Sequence, residues 1–189
     1  IRSEIKKSPH VKKGGSLRQR ISEYLLHPSS ALKKTSLKIT LLALLLLGFL
    51  LYANTITHDY ALDDDLVYKL NTSVQRGLGG LPEIFQTTNI YGFNQQNFGA
   101  YRPFSQAIFA LEYELFGLNP HAQHLISVLL FALTGGLLFL LMRRLFSARP
   151  LWVPLAISLL FIVHPIHTEV VANIKSSDEL ISFLFGFVL

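Results

Sequence analysis

The sequence predicts an all-α protein, a polytopic bundle of membrane helices with a long, partly helical first outer loop. Three observations predict it. Half of the residues are hydrophobic and only 15% are charged, which is rich for a water-soluble domain and ordinary for a multi-span membrane protein. The apolar residues gather in uncharged runs close to bilayer length. The cations gather on one side of those runs and the carboxylates on the other.

The chain opens with a basic segment. Residues 1–38 hold ten Lys/Arg against two Glu, and they read as a cytoplasmic flank touching anionic lipid heads. A nucleic-acid arm is the other reading of such charge, but the aromatic interleaving of nucleic-acid platforms is absent and an apolar run follows at once. Residues 39–189 form the membrane part. Ile39 to Thr57 is 19 residues without a charge, about 28 Å of helix. Its apolar core is long for a signal peptide and Ala53-Asn54-Thr55 is a poor cleavage site, so the run reads as an uncleaved anchor.

Residues 58–124 are too many for a connector and are expected to be partly ordered. Pro82 to Phe85 starts a short helix, and Asn89 to Gly99 is loop. Phe104 to Phe116 returns to helical spacing, with Phe104, Ile108, Leu111 and Leu115 on one side. Glu112 and Glu114 interrupt it, which places it along the membrane interface rather than across it. Asn119-Pro120 separates it from the second span, Leu125 to Met142, where Gly135-Gly136 suits close helix approach in lipid. Arg143-Arg144 stops that span. A third runs over residues 150–166, with Pro154 in its first turns, where few hydrogen bonds are lost. The last, 180–189, is apolar to its final residue and measures about 15 Å, half a bilayer. Together with Ile1 at the start, this predicts a fragment of a longer chain.

Orientation follows from the cations. With a cytoplasmic N-terminus, residues 1–38 and 143–149 hold thirteen Lys/Arg, and the outer segments hold four: Lys69, Arg76, Arg102 and Lys175. That bias fixes the topology. Both dense polar strings, Asp63-Asp64-Asp65 and His164-Pro165-Ile166-His167-Thr168-Glu169, then face outward. Such a chain belongs in a bacterial plasma membrane or, in a eukaryote, in the endoplasmic reticulum membrane.

Three adjacent carboxylates repel one another and can hold one group poised as a base for an attacking hydroxyl; a solvated acidic turn is the plain alternative. They could hold a divalent cation, but they lack the spacing of a calcium loop. His164 and His167 lie three apart, without the third ligand or the His-Glu-x-x-His pattern of a zinc protease. The plain reading of the pair is a hydrogen-bonded span end. Lys175, Asp178 and Glu179 surround the start of the last span, where the two acids also suit a helix N-terminus. In Tyr101-Arg102-Pro103 the guanidinium could bind a phosphate or pair with Glu112. There is no cysteine, hence no disulfide framework. No phosphate-binding Gly-Lys-Ser/Thr loop occurs. Asn71-Thr72-Ser73 is a formal glycosylation sequon.

Taken in order and spacing, Tyr60-Ala61-Leu62-Asp63-Asp64, Tyr101-Arg102-Pro103-Phe104, Gly117-Leu118-Asn119-Pro120-His121 and the His164–Glu169 string resemble one family. It is that of the transmembrane and tetratricopeptide-repeat O-mannosyltransferases and their bacterial relatives, with a more distant likeness to protein O-mannosyltransferases of the C-type glycosyltransferase fold. The resemblance covers about residues 40–189. It implies a polyprenyl- or dolichyl-phosphate sugar donor, a protein hydroxyl acceptor, and repeats beyond this stretch. By position Asp63 and Asp64 match the first acidic site and Asp178 the second. The resemblance makes Arg102 and Lys175 candidates for the donor phosphate. Tyr101, His164, His167 and Glu169 complete the expected substrate-binding set. No metal ligand is implied. A non-catalytic membrane module is the other class of function, though a transporter would carry charges at mid-membrane and these spans hold none.

Overall fold

The computed structural model describes residues 30–188. Most of the basic segment 1–38 therefore lies outside the described residues. The chain divides into two units, residues 1–39 and 40–189, and the architecture below is that of the second. Among the described residues there is no strand. The helices are α1 (Ser30–Tyr52), α2 (Thr72–Gln75), α3 (Leu81–Ile84), α4 (Tyr91–Asn94), α5 (Pro103–Phe116), α6 (Pro120–Leu145), α7 (Trp152–Val163), α8 (His167–Ala172) and α9 (Ser177–Val188).

Two stretches, Ser36–Thr57 and Pro120–Leu145, are long and apolar enough to cross a membrane by length and composition. The first loses its α-helical form at Tyr52 and tightens into a 3₁₀ turn, Ala53–Thr57, where Thr55 Oγ1 donates to the Tyr52 carbonyl at 2.8 Å. The third expected span is shorter than its apolar run. α7 has 12 residues, against about 20 for a full crossing. It ends because His164, which precedes Pro165, is held extended, as a residue before proline must be. The string then restarts as the separate α8. The fourth expected span is α9, which starts three residues earlier, at Ser177.

Glycines bring α1, α6 and α7 together, as the sequence suggests. A Cβ on Gly135 would lie 2.7 Å from Ile162 of α7, and one on Gly136 would lie 2.9 Å from Leu45 of α1. A Cβ on Gly48 would lie 3.2 Å from the Ala132 backbone of α6.

The outer segment builds a core of its own. Val67, Tyr68, Val74, Ile84, Phe109 and Ala110 are buried together, with Tyr60 and Tyr113 packed beside them. Tyr68 is the centre: its ring meets Tyr60, Phe109 and Tyr113 at 6.0–6.3 Å, and its hydroxyl donates to Gly117 O. Asn71 ties the flanking turns. Its amide donates to the Leu66 and Asn89 carbonyls, and its oxygen accepts from Val74 N. Gly92 has no Cβ because one would collide with Asn71 Oδ1. The sequon is thus closed in the folded chain.

α5 is helical where the sequence predicts it, starting on Pro103 and ending at Gly117, whose φ of +63° suits glycine. Its faces carry a surprise. Phe104, Leu111 and Leu115 are exposed, whereas Gln106, Phe109, Ala110 and Glu112 are buried. Three of the four residues of its apolar row look outward, with Ile108 half-buried, while Glu112 looks inward and Glu114 stays exposed.

Candidate active site

The acidic turn is three different carboxylates. Asp64 is fully buried. Its Oδ2 accepts from Ala61 N at 3.0 Å and its Oδ1 from Lys175 N at 2.8 Å. Burial pushes its carboxyl up from the ordinary value, and the N–H groups of Ala61, Lys175 and Ile174 pull it back. Asp63 is exposed, and its Oδ2 lies 3.3 Å from Lys175 Nζ. Asp65 begins a single wider, π-type turn, Asp65–Lys69, and pairs with Lys69 at 3.4 Å. Lys175 thus holds two neighbouring acids at once, Asp64 with its backbone and Asp63 with its side chain.

Local sequence explains why Lys175 is there. Asn173 is extended after α8, and its Oδ1 accepts from Lys175 N, capping the short turn Ile174–Ser176 that leads into α9. Asp178 follows three residues after Lys175, in the first turn of α9, so the short turn and the helix it leads into carry the two side by side. Asp178 is nearly buried, and its Oδ2 accepts from Arg102 Nη1 at 2.9 Å. Arg102 had two expected partners, a phosphate and Glu112. In this structure it pairs with Asp178, 76 positions away.

A cleft of about 510 Å³ opens over this pair. The start of α5 supplies Tyr101, Arg102, Pro103, Phe104 and Ser105; α9 supplies Asp178, Glu179, Ser182 and Phe183. Tyr101 is fixed at its rim by a hydroxyl bond to Phe85 O at 2.9 Å. Asp178 Oδ1 is buried without a hydrogen-bond partner among the described residues, as is Ser177 Oγ. The cleft therefore combines a partly exposed guanidinium, aromatic walls and a carboxylate with capacity left to accept a bond.

The histidine string goes elsewhere. The His167 ring packs 4.3 Å from Phe161 and 5.3 Å from Phe131. Burial and the neighbouring His164 hold its pKa below the ordinary imidazole value. His164 accepts from Ile166 N, and its carbonyl takes the Tyr52 hydroxyl at 3.5 Å. Glu169 is exposed. Of the nine expected site residues, Asp63, Asp64, Tyr101, Arg102, Lys175 and Asp178 meet around the Asn173–Asp178 turn, whereas His164, His167 and Glu169 end α7 and begin α8. Among the described residues no group of three His, Cys, Asp or Glu side chains is placed to hold a metal.

Sequence reasoning misread one polar feature and passed over another. Glu112 is 6% exposed, and burial raises its pKa to about 7. Gln123, His124 and Ser127 are buried on α6. The available signal was three polar residues within five positions at the head of an apolar run, on the side that meets protein.

Comparison with known proteins gives this arrangement a family. The chain is 34% identical over 146 residues to "Protein O-mannosyl-transferase TMTC2" of Homo sapiens, an alignment covering 74% of this chain and 16% of that protein. The Xenopus laevis tmtc2 protein is 37% identical over 147 residues, with the same coverage of 74% and 16%. The Drosophila melanogaster protein named Tmtc1 is 32% identical over 139 residues, 72% of this chain and 16% of that one. No family model and no solved structure matches. The chain spans about 16% of the length of these curated relatives, and over that stretch it belongs to the TMTC family of protein O-mannosyl-transferases.

Proposed function

We propose that the whole protein is a multi-pass membrane glycosyltransferase with a cytoplasmic N-terminus. It moves a sugar, mannose by the names of its relatives, from a polyprenyl- or dolichyl-phosphate carrier to a hydroxyl of a protein acceptor on the outer face, which is the endoplasmic reticulum lumen in a eukaryote. One observation carries the reading. Two acids of the outer segment and one cation beside its helix meet a cation and an acid from a single turn at the head of α9.

The parts divide by accessibility. A general base must reach the proton it takes. Asp64 is buried with both oxygens engaged by backbone N–H groups, so it acts as the strut joining the acidic turn to Lys175. Asp63 is exposed beside it and serves as the base. The acceptor oxygen attacks the anomeric carbon as its proton passes to Asp63, and the bond from that carbon to the phosphate oxygen breaks. The lipid phosphate leaves as an anion. Lys175 and Arg102 supply cations where that negative charge grows, and Arg102 can offer the two parallel N–H donors that suit phosphate. The apolar row of α5 lies against the outer leaflet, keeping the cleft at the depth of the donor headgroup.

The test is transfer from a polyprenyl-phosphate mannose to a serine- or threonine-containing acceptor by the full-length protein in proteoliposomes. Asp63→Asn should abolish transfer and leave the protein folded. Equal activity in Asp63→Asn and wild type would refute the reading.

A further inference from the structure

The first turn of α6 carries two histidines, His121 and His124, three positions apart and hence on one side of the helix. Each meets a backbone carbonyl of the segment that leads from the Ala53–Thr57 turn into the acidic turn. His121 Nδ1 lies 2.9 Å from Ile56 O, and His124 Nε2 lies 3.4 Å from Asp59 O. The spacing matches, since the two carbonyls are also three residues apart. A carbonyl only accepts, so each of these nitrogens carries the hydrogen, His121 on Nδ1 and His124 on Nε2.

His124 is fully buried, and among the described residues its Nδ1 has no hydrogen-bond partner. With Nε2 protonated, that nitrogen is a bare lone pair, and the ring is neutral. A second proton there would bury an unpaired N–H⁺, at a large desolvation cost. The groups around the ring are His58 (6.0 Å between centroids), Asp59, Asp64 and His121. Asp64 lies within electrostatic reach, and Lys175 follows on its far side through the bond from its backbone N–H.

We propose that His121 and His124 are positioning residues of the transfer reaction: gripping the Ile56 and Asp59 carbonyls from the rigid head of α6, they set where Asp63 and Asp64 stand relative to Lys175. Neither histidine lines the cleft; both act through the segment they hold. Loops left to themselves do not hold a base to the fraction of an ångström that transfer requires, and a displacement of about 1 Å can cost about 10²-fold in rate. The helix supplies the missing rigidity.

This inference rests on the reading of Asp63 as base, and its test separates the two. In full-length protein in proteoliposomes, with polyprenyl-phosphate mannose and a threonine-containing peptide, His124→Leu should lower kcat by about tenfold or more while donor KM and thermal unfolding hold. His124→Gln, whose amide nitrogen stands in for Nε2, should restore most of it. For His121 the rescuer should be Asn, whose amide nitrogen stands in for Nδ1, and not Gln. A role in packing alone predicts no such rescue pattern. Equal loss in Leu and Gln at His124, or kcat within about twofold of wild type in His124→Leu, would overturn the proposal. Should His124→Leu not fold, the exposed His121 decides, because His121→Leu must lower kcat and His121→Asn restore it. If Asp63→Asn retains full activity, it is the base assignment that falls.

Discussion

The chain carries two dense polar strings that look equally promising in one dimension, and the structure treats them oppositely. Asp63-Asp64-Asp65 is met by another element: Lys175 arrives with a backbone N–H for one acid and an ammonium for its neighbour. His164–Glu169 is met by aromatic rings and a tyrosine hydroxyl, which anchor a helix end. Density of functional groups does not single out a candidate site; opposite groups brought from a distant part of the chain do.

The sharpest way to break this comparison is to mutate both strings. Asp63→Asn should cost about 10²–10⁴ in transfer rate, the usual loss of a general base. His167→Leu, which keeps apolar contact with Phe131 and Phe161, should cost far less, and any defect should show as lower thermal stability. Comparable losses in kcat, in folded proteins, would put the histidine string back in the site.

Next in size is the Arg102–Asp178 pair. Arg102→Ala should raise donor KM by about ten- to a hundredfold, the worth of a charge-assisted hydrogen bond of roughly 1.5–3 kcal/mol. Asp178→Asn should act on the same parameter, so a double-mutant cycle on donor KM should be non-additive. Additive effects would mean that the two residues serve different ligands.

Glu112 tests the acid outside both strings. Its folded pKa, about 7, stands above the ordinary 4.5 because burial penalises the carboxylate. A raised acid favours the folded state only while protonated, so stability should fall as pH climbs from about 4.5 through 7. Glu112→Gln should remove that slope and be the more stable protein at pH 8, by roughly 1–3 kcal/mol, measured by thermal unfolding in detergent. A variant less stable at pH 8 than wild type would show that the carboxylate has a partner. The smallest effect is expected at Asp65→Asn. Its pair with Lys69 is half-exposed, and such pairs contribute well under about 1 kcal/mol, so transfer should stay within about twofold.

What the sequence made legible was local. Runs, prolines and terminal cations located α1, α5 and α6 because helix formation and capping depend on neighbours a few residues apart. Gly135-Gly136 announced close approach because a missing Cβ has few other uses mid-span. The partner of Arg102 was hidden, since nothing near residue 102 refers to residue 178. The facing of α5 was hidden for another reason. In water an apolar row marks the buried side, but beside lipid it can mark the outside, so Phe104, Leu111 and Leu115 carried an ambiguous sign. Glu112 read as a surface charge because its burial depends on the Tyr68 core formed by other segments.

The glycine pair has a further consequence for how the long helices are keyed. Adjacent helical residues point about 100° apart, so Gly135 receives α7 from one direction and Gly136 receives α1 from another. Turning α6 by one residue either way would present Thr134 or Leu137 to a neighbour seated against bare backbone. The dipeptide therefore acts as a rotational key, permitting a single azimuth of α6. That azimuth also fixes the direction in which His121 and His124, about three to four turns away on the same rod, face the acidic turn.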